Sequence, residues 1–305
     1  MSSPFEHYLA ELGDLGQPLI ASKLAILSDL IPEEFRLFFE AWPDIDVVRR
    51  RQVLHRLAEI AEDNLELDFD GVFLACLGDE DGETRATAIE GLGECADRSL
   101  IDHMTGVLLD DAEQRVREAA AVALGKFAML AELGKLLPGD ARKVEETLLN
   151  VSNNVDEEDS VRCKVLEAIA PLSKPNVENL IRGAYHGSNR ELQASALYAM
   201  GQNCNPSWLP ILLTELHSPH PRLRFEAARA CAELEAEEAV PRLVELLDDG
   251  DTLVQMCAIE ALGRTGGSEA KAALQECLDS PDESVHEAAQ EVLQEIGSWD
   301  EPLAP

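Results

Sequence analysis

The stretch "HPRLRFEAARACAEL", residues 220–234, sets Glu226 among small residues at helical spacing. A carboxylate in such a place can ligate a metal when histidines and further carboxylates converge on it, since imidazole and carboxylate together suit iron or zinc. The sequence offers few partners. His286-Glu287 is the one His-Glu pair, and His217 and His220 in "HSPHP" have H-x-x-H spacing. Two donors alone make no closed site, and the prolines beside these histidines read as a rigid turn. The seven cysteines, Cys76, Cys95, Cys163, Cys204, Cys231, Cys257 and Cys277, form no C-x-x-C pair. Scattered through helical patterns, they read as small hydrophobes in a reducing compartment. No G-x-x-x-x-G-K-[ST] or G-x-S-x-G stretch occurs. Gly263, Gly266 and Gly267 fit a helix C-cap and turn instead of a phosphate loop.

The composition narrows the function classes. Of 305 residues, 46% are apolar but only 5% aromatic, which suits helices packed closely on helices. With 59 acids against 25 bases, the formal charge is −34. Binding to phosphates needs the opposite sign, so nucleic acid and anionic membrane are excluded as partners. The acidity suits a basic partner, or high solubility. The N-terminal "MSSPFEHYLAELGDLG" lacks a basic segment followed by an apolar one, and no apolar run reaches the roughly 20 residues of a membrane span. A cytoplasmic, monomeric protein is expected.

Internal repetition dominates the chain. Thr84, Val116, Val161, Leu192, Leu223, Val254 and Val285 each open a small-residue helix, at spacings of 32, 45 and then 31 four times. A polar residue follows each: Arg85, Arg117, Arg162, Gln193, Arg224, Gln255 and His286. Val48 opens a more divergent copy. Between these B helices lie A helices such as "AVPRLVELLDD", with apolar residues at i, i+3, i+4 spacing. Gly, Pro, Ser and Asp fill the turns. No strand alternation competes, and each pair must stack to bury its apolar face.

The helices "VREAAAVALG" and "VQMCAIEALG", with their Asp-rich preceding turns, carry a resemblance to the HEAT-repeat family, in particular to the bacterial HEAT-like repeats of phycobilisome lyases. The resemblance covers residues 44–297. It implies an all-α fold, an α-solenoid in which antiparallel helix pairs form a right-handed superhelix. Residues 1–43 are expected as an irregular helical cap, 126–143 as an insertion in an inter-repeat connection that is either a functional edge or an extra helical turn over an exposed end of the stack, and 298–305 as a disordered tail.

The resemblance brings one metalloenzyme family into view, the deoxyhypusine hydroxylases, which build a di-iron site from His-Glu dipeptides two and three residues after the opener. Here Glu226 keeps that register but Phe225 stands in the histidine position. The other copies read "EA", "CK", "AS" and "MC", so no ligand set forms. We expect no catalytic residue, no metal and no cofactor. Glu226 is expected to pair with Arg222, Arg229 or Arg264. The arginines after the openers are expected to pair with acids of the preceding turns, such as Asp111 or Asp159.

At 100° per residue, positions two and six after the opener fall opposite the core face. In HEAT-like stacks the B helices line the concave surface, which places Glu167, Tyr198, Phe225, Arg229, Met256, Glu260 and Glu291 in a groove. Aromatic, Met and Arg side chains are common interface anchors, and flanking charges steer a partner. The sequence therefore reads as a non-catalytic scaffold that binds a protein or peptide with basic and apolar residues. One alternative is a cofactor-insertion role like that of the lyases, with Tyr198, Trp208 and nearby cysteines contacting a chromophore. Another is an acidic chaperone or nucleic-acid mimic for a basic protein.

Overall fold

The computed structural model describes residues 4–64 and 66–300, the side chains of 297–300 excepted. Eighteen α-helices and five short 3-10 helices make up 76% of the described residues, and no strand occurs among them. The chain is an all-α helical-repeat solenoid. It divides into two compact units, Met1–Val161 and Arg162–Pro305.

In the first unit, α1 (Pro4–Gly13), α2 (Ala21–Leu24) and α3 (Pro32–Ala41) precede the pairs. There follow α4 (Val47–Asp63), α5 (Asp70–Cys76), α6 (Gly82–Gly91), α7 (Leu100–Asp110), α8 (Gln114–Glu132) and α9 (Pro138–Ser152). Helix α10 (Asp159–Ile169) carries the division between the units. The B helices α4, α6 and α8 stack in succession, while α5 lies on α6 and α7 on α8. The cap is tied down by a buried cation: Arg49 donates from Nε to Leu12 O at 2.7 Å and from Nη2 to Gln17 O at 2.5 Å.

The second unit repeats the plan with α11 (Pro175–His186), α12 (Arg190–Asn203), α13 (Leu209–Glu215), α14 (Pro221–Glu233), α15 (Val240–Glu245), α16 (Thr252–Thr265), α17 (Gly267–Cys277) and α18 (Glu283–Asp300). Here α12, α14, α16 and α18 form the B row, with α11, α13, α15 and α17 each laid on its B partner.

Turn chemistry starts the helices. The side chains of Asp81, Asn189 and Asp251 accept hydrogen bonds from the first backbone N–H groups of α6, α12 and α16. Proline opens α3, α9, α11 and α14, where its missing N–H costs no bond. Small residues near the helix ends then set how closely neighbours approach. A Cβ on Gly201 would lie 2.9 Å from Ala230 Cα, and one on Gly91 would lie 2.5 Å from the Phe73 ring. The glycine at these positions is thus a condition of packing, and that accounts for the "GLG" and "AMG" signatures.

The arginines after the openers staple consecutive repeats. Arg85 holds Asp111 at 2.9 and 2.8 Å, Arg117 holds Glu157 at 3.2 and 2.7 Å, and Arg224 holds Asp249 at 2.6 and 2.7 Å. Each acid comes from the turn before the next B helix, one repeat further on, which corrects the expectation of a preceding turn. The preceding turn supplies backbone carbonyls instead: Arg85 also donates to Asp79 O, Arg117 to Asp111 O and Arg224 to Ser218 O. A guanidinium has five donors in a fork and can serve both turns at once. Gln193 and Gln255 keep only the carbonyl half, at Gly187 O and Asp249 O.

The extra residues at 126–143 add no helix. They prolong α8 to Glu132, turn at Gly134 with φ +67°, and lengthen α9. The tail expected from residue 298 is helical as far as Asp300, and residues 301–305 lie outside the described residues.

Candidate functional site

In the second unit, positions six after the opener point away from the core. Arg229, Glu260 and Glu291 are exposed, and Glu167 and Tyr198 are half-buried. Positions two after the opener behave differently. Ala194 of this unit is fully buried, as is Ala86 of the first unit, and Cys163 is 7% exposed. That position is a flank wedged between neighbouring B helices, which corrects its assignment to the face opposite the core. At about 200° from the opener it still faces the next B helix when helices approach closely. Only side chains too large for that gap reach outward, and Phe225 and Met256 accordingly sit half-buried.

The structure brings several of these residues together. The Arg229 guanidinium lies 4.7 Å from the centre of the Tyr198 ring, a cation–π contact linking α14 to α12. Glu167 accepts a hydrogen bond from Ser195 Oγ at 2.6 Å and pairs with Lys164 at 2.9 Å. Cys257 Sγ donates to Phe225 O at 3.4 Å across α14 and α16. Burial pushes the Tyr198 hydroxyl above its usual range, with Glu167 and Glu226 adding to the shift and Arg229 opposing it. Burial likewise pushes the Cys257 thiol up to about 12, which makes it inert as a nucleophile at neutral pH. Glu260 and Glu291 lie further along the row, on α16 and α18.

Glu226 departs from its expected role. It is 8% exposed, and its Oε2 has no hydrogen-bond partner. Of the three arginines expected for it, Arg229 and Arg222 act on it through their charge while respectively stacking on Tyr198 and lying 3.9 Å from Glu191, and Arg264 pairs instead with Glu233 at 2.8 and 2.9 Å. Trp208 also departs from expectation. It is wholly buried, donates from Nε1 to Asn203 Oδ1 at 3.0 Å and lies under Arg182, so it cannot meet a chromophore. Asn203 in turn donates to Ala170 O at 2.9 Å, which makes the pair a structural clasp.

Among the described residues no group of three or more His, Cys, Asp or Glu side chains is placed to hold a metal ion. His217 lies 3.8 Å from Glu245, and the ring of His286 meets Leu278 O at 2.7 Å. No helix is long and apolar enough to cross a membrane, among the described residues.

The first unit holds a feature that sequence reading misses. An open cleft of about 500 Å³ is lined by Phe69, Phe73, Glu62, Asp70, Glu90 and Cys95. Its residues come from the ends of three helices and from two loops, so no periodic pattern marks it.

Known proteins can be set beside this geometry. The complex of CpcE and CpcF of phycocyanin lyase from Nostoc sp. is similar over 92% of this chain and 96% of its own, at 16% identity and a TM-score of 0.53. Human deoxyhypusine hydroxylase in complex with glycerol is similar over 96% of each chain, at 20% identity and a TM-score of 0.39. The first likeness shows the fold alone, and the second is too loose to carry an argument. No curated protein matches the chain. The family described as HEAT repeats matches residues 71–145 and 209–294, more than half of the sequence. Stacked pairs, stapling arginines and small-residue contacts agree with that match, and the chain belongs to the HEAT-repeat family.

Proposed function

We propose that the protein is a docking scaffold, with no catalytic activity of its own, which binds a protein segment across the B helices of its second unit. The observation that carries this reading is the row of large side chains on adjacent helices. Tyr198 with Arg229 stacked on it, Phe225 and Met256 stand on α12, α14 and α16, flanked by Glu167, Glu260 and Glu291. Aromatic and arginine anchors inside a charged rim are the composition of a recognition patch. The glutamates and the charge of −34 favour a segment with basic as well as apolar residues. Helix-repeat stacks offer such extended surfaces because each repeat contributes one equivalent strip.

The test is affinity capture from the native lysate with wild type beside the double variant Phe225→Glu, Tyr198→Glu. Wild type should retain specific proteins that the variant loses, with circular dichroism confirming that both are folded. Equal capture by the two proteins would rule out this surface. The non-catalytic half of the reading is tested by elemental analysis of purified protein, which should find iron and zinc well below one equivalent.

A further inference from the structure

Glu226 occupies a position where the fold supplies nearby positive charge but no hydrogen-bond donor to Oε2. Two other carboxylates of this unit find their partners within the fold. Asp249 is held by Arg224 through two charge-assisted bonds, and Glu167 by Ser195 and Lys164. Glu226 is more than nine-tenths buried, yet Oε2 meets no donor. Leaving a buried charged acceptor unsatisfied costs the folded chain its full desolvation penalty. Groups retained at such expense cluster at functional sites.

The surroundings say what would satisfy it. Glu226 lies on α14 between Phe225 and Arg229, both in the proposed docking row. The charges acting on it are Arg229, Arg222, Glu167 and Lys164, and it acts in turn on Tyr198 of α12 and Cys257 of α16. None of the nearby cations donates to Oε2, and each has another partner: Arg229 the Tyr198 ring, Lys164 Glu167 and Arg222 Glu191 at 3.9 Å. The missing component is a positively charged hydrogen-bond donor brought from outside, beside a half-buried aromatic ring.

We propose that Glu226 is the receptor for a basic side chain, an arginine or lysine, of the protein segment that docks on the second unit. The inference rests on the docking reading above and specifies the chemistry of its occupant. Binding brings a charged donor to the Glu226 carboxylate as the side chain turns to meet it, while Phe225 and Met256 receive apolar neighbours of that residue.

The test uses a fluorescein-labelled synthetic peptide of repeating Leu-Leu-Arg and its citrulline twin, which keeps shape and hydrogen-bonding groups but loses the charge. Anisotropy is read near physiological ionic strength, about 0.15 M, so that diffuse attraction is screened. Wild type should bind the arginine peptide at least about tenfold more tightly than the twin. Glu226→Gln should bring that ratio close to one, and Glu238→Gln, at an exposed position, should leave it unchanged. Glu226→Gln should also melt at the wild-type temperature or above, because it removes a buried charge. A ratio that persists in Glu226→Gln overturns the proposal, since general acidity then explains the preference. Equal binding of the twins by wild type overturns it and leaves the docking surface standing. Failure of wild type to bind either peptide up to about 1 mM also overturns it, and the docking surface is then judged by the capture experiment alone. A marked fall in melting temperature for Glu226→Gln would make the carboxylate a structural group and overturn the proposal as well.

Discussion

Arg224 and Asp249 show how one residue pair secures a repeat. Both oxygens of Asp249 accept from the guanidinium, at 2.6 and 2.7 Å, and Oδ1 also accepts from Asp251 N at 2.9 Å. The pair is largely shielded, which separates it from exposed ion pairs that contribute little. Charge-assisted bonds in such a setting are worth about 1.5–3 kcal/mol. Arg224→Ala should therefore lower unfolding stability by that amount in urea titrations, and Arg224→Lys should recover only part of it, because a lysine cannot grip two oxygens and a carbonyl together. The Arg224 hydrogen bond holds the Asp249 carboxyl below its ordinary value. Its contribution is complete above the unfolded carboxylate pKa and is lost as pH falls through the depressed one. Glu226 works in the opposite sense. Burial raises its pKa, opposed by Arg229 and Arg222. The folded state thus holds that proton more tightly than the unfolded state, and stability falls as pH rises from the ordinary carboxylate range through the raised value. The stability gap between Glu226→Gln and wild type should be largest near pH 7 and shrink towards pH 4. A gap that widens on acidification would contradict this account.

Between helices, contact distance is controlled by residues that lack bulk. Gly201 and Gly263 occupy the same place in the repeat, nine positions after Leu192 and Val254, but meet different neighbours. The Cβ of an alanine at 201 would be 2.9 Å from the Ala230 backbone, whereas at 263 it would meet Val292 Cγ1 at 2.4 Å. A side-chain methyl can move by changing rotamer; a backbone atom moves only with its helix. Gly201→Ala is therefore expected to cost about 1–3 kcal/mol as overpacking. At Gly263 the strain is relieved more cheaply and is offset by the roughly 1 kcal/mol that alanine gains over glycine in a helix. Thermal melts of the two variants should rank Gly201→Ala well below Gly263→Ala. Equal melting temperatures would show that α12 and α14 can slide apart freely.

At the scale of the whole chain, the charge of −34 acts on every repeat. Self-repulsion of so many carboxylates destabilises the compact state, and salt screens it. The melting temperature should rise when sodium chloride is increased from about 0.02 M to about 0.5 M, where the screening length shortens to a few ångströms. A melting temperature that stays flat or falls would mean that the staples outweigh the diffuse repulsion.

The 31-residue period, the small-residue B helices and the Asp-rich turns determined the helix-pair architecture without any coordinates. Hydrophobic period and capping are properties of one helix and its ends, and the chain writes them locally. The face six positions after the opener followed from the same arithmetic. The position two after the opener did not, because burial there depends on how near the next helix comes, and Ala86 and Ala194 are sealed where Phe225 protrudes. The turn that answers each arginine, the burial of Trp208 and the lone oxygen of Glu226 likewise emerged only in three dimensions. The arginine pairs join groups 25 to 40 residues apart, and the other two depend on how neighbouring helices close over a side chain; a repeating sequence presents several equivalent candidates for every such meeting.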